Sequence, residues 1–426
     1  MKKRFYLGIL GILFTLIFTS CGGATSSTGP AKVTINWWHI QTTDPAKSIW
    51  QNIANKYMKA HPNVTIKITP LENEAFKSKL ATDMQSGNPP DLFQSWGGGV
   101  LFQYAKAGLV QDITPELQKN GWGDSFNQAA LSVYGQDSKY YGVPFDMGAV
   151  GFWYNKALFA KAGIAQPPAT WDDLLQDVKK LKSAGITPIA LGEKDKWPGH
   201  FYWVYLAIRM GGKAEFDKAY GRTGSFADPP YVEAGKHLQD LIALNPFQQG
   251  FLGATYNDQS TLIGNSKAAM ELMGQWAPST DASAATNKKG PELGFFPFPT
   301  VTGEKGNPTD VLGGGNGFAV GKNAPPETLD FLRYLISADT ENTLGKQGLA
   351  LPTIKGTISS VSNPLLQEVG QMVNNAPYFQ LYYDQYLPPA VGQTIIDSVQ
   401  GLYAKTLTPD AAAKAVEDSA ATELQP

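Results

Sequence analysis

Trp96, His39 and the pair Glu72/Glu74 combine residue type and position in a way that suits recognition chemistry. Trp96 closes an apolar run and precedes Gly97-Gly98-Gly99, where backbone N–H groups can approach a ligand or a tight turn can form. His39 ends the run that begins at Val33, and Glu72 and Glu74 flank Asn73 at the start of a helical stretch. An indole stacks on the C–H face of a sugar ring, while carboxylates, amides and imidazoles exchange hydrogen bonds with its hydroxyls. Phe, Trp and Tyr make up 12% of the chain, with 10 tryptophans, several beside Gly, Asn or Asp rather than inside apolar runs. A large core claims most of them; the remainder suits a carbohydrate reader.

Other chemistries find less support. The four histidines, His39, His61, His200 and His237, form no helical i,i+4 pair, so a metal centre has no evident ligand set, and no cofactor is expected. A glycoside hydrolase needs two carboxyl groups roughly 5–9.5 Å apart across the scissile bond. Acidic residues are present but no spacing demands that pair, so an exported hydrolase stays as the alternative to binding without reaction. Gly313-Gly314-Gly315-Asn316-Gly317 lacks the Gly-Lys-Ser/Thr ending of a phosphate loop and reads better as hinge glycines carrying a ligand-facing Asn316. A formal net charge of -2 offers no basic field to nucleic acid.

The elements that must position these residues follow from periodicity. Residues 33–38 alternate as a strand, and Asp44-Pro45 opens a helix with Asp44 as its cap and Ile49, Trp50, Ile53, Tyr57 and Met58 on one face. A strand at 64–68, a helix at 74–86 stopped by Gly87-Asn88-Pro89-Pro90, and a strand at 91–96 come next. Strand and helix in alternation predict an α/β layer with a parallel sheet, whose ligands bind beyond the carboxyl ends of the strands. Of Trp37 and Trp38, on opposite faces of a strand, one belongs to the core. Helices near 171–184 and 231–244 and a strand over 186–191 form a second unit, and the size suits two domains of roughly 100–200 residues.

The N-terminus carries an address. Lys2, Lys3 and Arg4 precede an apolar stretch from Phe5 to Ser20, shorter than the roughly 20 residues of a membrane span. This is a signal peptide over 1–20. Leu16 to Cys21 resembles a bacterial lipobox, which makes Cys21, the only cysteine, the lipid attachment point. Residues 21–30 have the composition of a flexible tether.

Along its whole length the chain resembles the sugar-binding branch of the extracellular solute-binding proteins of bacterial ABC importers. The resemblance lies in an ordered series: Gly87-Asn88-Pro89-Pro90-Asp91-Leu92, residues 108–113, Tyr154-Asn155-Lys156-Ala157-Leu158-Phe159, residues 168–174 and Met273-Gly274-Gln275-Trp276-Ala277. It implies a two-lobe α/β fold, each lobe a sheet flanked by helices, hinged by several chain crossings. Lobe 1 is placed at 31–145 plus 317–350 and lobe 2 at 146–315 plus 351–426, with crossings at 144–151 and 313–317. It implies capture of a di- or oligosaccharide in the interlobe cleft, with the same fold binding a non-sugar solute as a further alternative, delivery to membrane permease subunits, and a monomer anchored outside the cytoplasmic membrane. It also marks Trp276 as a cleft-floor aromatic, Trp197 and His200 as lying where relatives carry ligand contacts, Asp146 as a cleft-facing acid in the first crossing, and Tyr383 and Asp384 as part of an aromatic-rich cleft segment. The C-terminal segments look most like those of binders for β-linked disaccharides such as xylobiose, or for amino-sugar oligomers.

Overall fold

The computed structural model describes residues 31–424; the expected signal peptide, Cys21 and the tether lie outside the described residues. The chain opens with β1 (Val33–His39), α1 (Ala46–Ala60), β2 (Val64–Pro70), α2 (Asn73–Gln85), β3 (Leu92–Ser95) and α3 (Gly98–Lys106). It passes through β4 (Gly142–Ala149) straight into β5 (Gly151–Asn155), then α4 (Trp171–Ser183), β6 (Thr187–Ile189), α5 (Trp197–Tyr220) and α6 (Pro229–Ala243). There follow α7 (Tyr256–Gly264), β7 (Ala268–Met273), α8 (Ala277–Ala284), β8 (Leu293–Phe296), β9 (Val311–Val320) and β10 (Phe379–Leu381). Helices α9 (Pro389–Tyr403) and α10 (Pro409–Glu423) end the described chain.

Two sheets result. The first runs β10-β9-β3-β1-β2, with β4 also paired to β9; the second runs β8-β5-β7-β6. β1 lies parallel to β2 from Val33 opposite Val64 to His39 opposite Pro70, and parallel to β3 at Trp37 opposite Leu92. The structure buries both Trp37 and Trp38, not one of them. Helices cover both faces of a largely parallel sheet, so alternate residues both enter a core. Trp37 meets Trp50, Phe318 and Phe331 edge-on at 5.5–5.8 Å, whereas Trp38 packs with Phe76, Leu80 and Phe93 on the other face.

Local chemistry sets the helix starts. The segment 168–174 is a capping box: Thr170 Oγ1 accepts from Asp173 N at 3.1 Å, and Thr170 N donates to Asp173 Oδ2 at 3.1 Å. Helix α1 begins one residue later than the sequence suggests, with Pro45 at the cap position, yet Asp44 Oδ1 still accepts from Ser48 N at 3.1 Å.

The chain leaves the first sheet between β4 and β5 and returns along β9, which pairs antiparallel with β4 from Gly313 opposite Ala149 to Ala319 opposite Gly142. The glycine run 313–317 is thus extended strand with an irregularity at Asn316/Gly317. Its glycines are there for space rather than for unusual torsions. A Cβ on Gly313 would lie 2.2 Å from the Gly148 carbonyl oxygen, and one on Gly315 2.3 Å from that of Asp146.

Candidate functional site

Between the two sheets opens a cavity of about 320 Å³. The carboxyl ends of β1, β2 and β3 deliver Gln41, Thr42, Asp44, Glu72, Asn73 and Trp96 to one wall, joined by Lys77 from α2. The opposite wall comes from the N-terminal ends of α5, α7 and α8: Trp197, Phe201, Tyr256, Asn257, Trp276 and the hydroxyls of Ser279, Thr280 and Ser283. The paired crossing strands supply the floor through Asp146, Gly314, Gly315 and Asn316, and Tyr382, Asp384 and Gln385 close one end.

Trp276 occupies the cap position of α8, at the end of the fully buried β7. Gly274 makes its placement possible, since a Cβ there would lie 2.1 Å from the indole. The Trp276 ring sits 6.4 Å from Trp197, tilted 55°, and 6.5 Å from Tyr382, at 81°. Trp197 is itself held edge-on by Phe201 and Tyr256 at 5.7 and 4.9 Å. From the facing wall Lys77 Nζ lies 5.6 Å from the Trp96 ring centre and 5.9 Å from that of Trp197.

Asp146 anchors a hydrogen-bond chain under the floor. Its Oδ2 accepts from Gln275 Nε2 at 2.6 Å and from Asn316 Nδ2 at 2.9 Å, and its Oδ1 accepts from Leu351 N at 2.7 Å. Asn316 Oδ1 in turn accepts from Gln94 Nε2 at 3.0 Å. Burial pushes the Asp146 carboxyl up to about 6, against the pull of these donors, which favour the charged form. The chain ties β3, β4 and β9 of the first sheet to the loop after β7 of the second.

Trp276, Trp96, Trp197, Asp146, Asp384 and Asn316 are therefore brought to one cavity, and four other expected contacts stand apart from its lining. His39 is buried: its Nδ1 accepts from Gln41 N at 3.1 Å, and burial lowers the imidazole pKa to about 4, which keeps it neutral. His200 lies behind Trp197, its Nδ1 2.5 Å from the Trp197 carbonyl oxygen and its Nε2 3.4 Å from Asp384 Oδ1. Burial lowers its pKa, with Asp384 opposing. Glu74 points outward and binds Lys77 Nζ at 3.1 Å. Tyr383 is core, packed with Phe216, Phe226 and Trp203.

That last placement has a simple cause. Residues 383–386 form a single helical turn, so Tyr382 and Gln385 share the cavity side while Tyr383 points away. Tyr382, whose buried hydroxyl has no protein partner, is a lining residue that sequence reasoning missed. Lys77 is another; its spacing of four from Asn73 on α2 was the available signal.

Comparison with known proteins locates this architecture. The family model described as bacterial extracellular solute-binding protein matches residues 41–342. The multiple sugar-binding protein of Streptococcus mutans is 26% identical over 85% of this chain and 85% of its own length. The diacetylchitobiose binding protein of Streptomyces coelicolor is 26% identical over 83% and 82%. A solved structure from work on xylan utilization by the thermophilic bacterium Caldanaerobius polysaccharolyticus superposes with a TM-score of 0.84, at 31% identity, over 90% of this chain and 99% of that one. A chitin oligosaccharide binding protein superposes equally, with a TM-score of 0.84 at 27% identity over 92% and 99%.

Proposed function

We propose, from the premise that this chain belongs to the bacterial extracellular solute-binding proteins, that it captures a short sugar between its two lobes and hands it unchanged to an ABC importer. The observation that carries this reading is the aromatic wall of Trp197, Trp276 and Tyr382, faced by Trp96 and ringed by amides and hydroxyls. Aromatic faces take the C–H surfaces of a sugar ring, and the surrounding groups exchange hydrogen bonds with its hydroxyls. The relatives named for multiple sugars, diacetylchitobiose and chitin oligosaccharide support a carbohydrate over another solute. Of the cavity's acids, Asp146 is already engaged by three protein donors, a state that suits a scaffold better than a reacting group.

Capture works by closure. A ligand stabilises the closed form only as far as it binds that form better than the open one. Contacts between the two walls add to that preference: Asn257 Nδ2 donates to Glu72 Oε2 at 3.1 Å, and Ser283 Oγ to the Asp44 carbonyl at 3.1 Å. The lobes are assigned to 31–145 with 317–350 and to 146–315 with 351–426. In support, Val391, Ile395 and Val399 of α9 share the core of Phe152 and Trp203. Trp276, Trp96, Trp197, Asp146, Asp384 and Asn316 are the proposed ligand set, with Tyr382 and Lys77 added. A signal peptide and a lipid on Cys21 would hold the monomer near its permease, raising the effective concentration there.

Thermal unfolding across a panel of mono- and oligosaccharides tests the reading. A cognate sugar at 100 times its Kd adds about 2.7 kcal/mol and raises Tm. A panel in which no sugar raises Tm refutes it.

A further inference from the structure

His200 stands behind the aromatic wall with its two ring nitrogens in different surroundings. Nδ1 lies 2.5 Å from the Trp197 carbonyl oxygen, and a carbonyl only accepts, so Nδ1 carries a hydrogen. In the neutral imidazole Nε2 is then an acceptor, and it faces Asp384 Oδ1 at 3.4 Å. That nitrogen is buried and has no hydrogen-bond partner among the described residues, while Asp384 Oδ2 accepts from Gln385 Nε2 at 2.8 Å. Two acceptors that face each other attract only when a hydrogen lies between them.

The surroundings decide when the ring gains that hydrogen. Burial opposes a charge on His200, Asp384 favours it, and Lys77 from α2 opposes it. Against Gly199 stand Glu193, whose carboxyl burial raises well above its usual range, and Tyr403 of α9, whose hydroxyl donates to the Gly199 carbonyl at 3.0 Å. Lys196, just before α5, is matched by Asp397 of α9 at 2.6 Å. Asp384 is therefore the group that pulls a proton onto the ring, and it lines the cavity with its side chain 10% exposed. A sugar docked there displaces the water that screens this carboxyl, and the pull of a carboxylate on an imidazolium strengthens as the local dielectric falls. His200 is fully buried beforehand, so closure adds little further cost to charging it.

We propose that His200 is a positioning residue of the sugar site: capture draws a proton from solvent onto Nε2, and the resulting charge-assisted hydrogen bond holds Asp384 in place. The pair passes from one net negative charge to none, and the bond from Nδ1 ties it to the backbone of Trp197. The inference rests on the sugar-capture reading and adds a proton to it.

Calorimetry tests it, with the sugar that raises Tm most across the mono- and oligosaccharide panel titrated at several values over about pH 5–8 in buffers of different ionisation enthalpy. The heat should depend on the buffer and report uptake approaching one proton per sugar, with affinity falling by up to about tenfold per pH unit above the titration of the bound pair. His200→Asn, which keeps a donor for the Trp197 carbonyl, and His200→Gln, which places an amide toward Asp384, should both bind with buffer-independent heat. Should neither variant fold, ¹⁵N-histidine NMR of the unchanged protein reads Nε2 directly, and it should be unprotonated in the free form and protonated when saturated. Binding without proton uptake, uptake that persists in the variants, or an Nε2 that stays unprotonated on saturation at about pH 6 overturns the inference and leaves sugar capture standing. A panel in which no sugar binds overturns both.

Discussion

The two walls of the cavity are made differently. The second-sheet wall is aromatic and immobilised: Trp197 is 8% exposed, braced on two sides, and Trp276 is locked at a helix start against Gly274. The first-sheet wall is polar, and its reaching group Lys77 is long and partly exposed, at 29% side-chain exposure. A braced wall loses little conformational entropy when a ring docks on it, so it sets affinity and shape. A wall of flexible hydrogen-bonding side chains pays that entropy on closing, so it contributes less per contact and governs how the lobes meet. Beneath both, the Asp146 chain keeps the crossing strands in register.

If this division is right, substitutions should rank by wall. Trp276→Ala removes a braced aromatic at the centre and should weaken sugar binding by about 2–3 kcal/mol, roughly 30- to 150-fold, read by calorimetry. Asp146→Ala leaves three donors unpaired, those of Gln275 and Leu351 buried, and should lower unfolding free energy by ~2–3 kcal/mol in denaturant titrations. Asp146 also carries a pH signature. Its folded pKa is raised to about 6 from 3.8, so its favourable contribution is full below pH 4 and is lost as pH rises through 6. Glu341, raised by burial to about 7, adds loss of the same sign up to that pH. Asp146→Asn should flatten part of the decline in Tm between pH 4 and 6 while leaving the parts due to Glu341 and to Glu193, Glu271 and Asp281, whose carboxyls burial also raises.

Smaller effects belong to the first wall and to the bonds made to it from across the cavity. Asn257→Ala breaks the bond to Glu72 and should cost about 0.5–1.5 kcal/mol of sugar affinity, seen in stopped-flow as faster dissociation with a nearly unchanged association rate. Lys77→Met keeps the aliphatic stem and loses the cation over Trp96 and Trp197 together with the exposed bond to Glu74, an effect of ~0.5–1 kcal/mol on sugar affinity. A loss from Lys77→Met equal to that from Trp276→Ala would erase the distinction between the walls.

Much of this was legible in the chain. The alternation over 33–38 and the helical stretch read at 171–184 place their elements to within a residue or two, because local periodicity decides them. Trp96, Trp197 and Trp276 reach the cavity because each stands at an element boundary beside helix-starting or glycine residues. What sequence could not resolve was direction. Tyr382 and Tyr383 are adjacent and alike, and only the phase of one helical turn sends the first to the cavity and the second to the core. His39 and His200 stand next to lining residues, but burial and backbone partners turn them inward as neutral supports. The glycine run at 313–317 signalled a special backbone, and the reason is strand-to-strand distance, which no local pattern encodes.

The central claim is capture without chemistry, and one titration addresses it: the sugar that raises Tm most across the mono- and oligosaccharide panel, added to the protein in a calorimeter, with the sugar recovered afterwards and its mass determined. The account predicts saturable binding at one site per chain and sugar recovered intact. Heat that never saturates, or recovered sugar that has been cleaved, would contradict it.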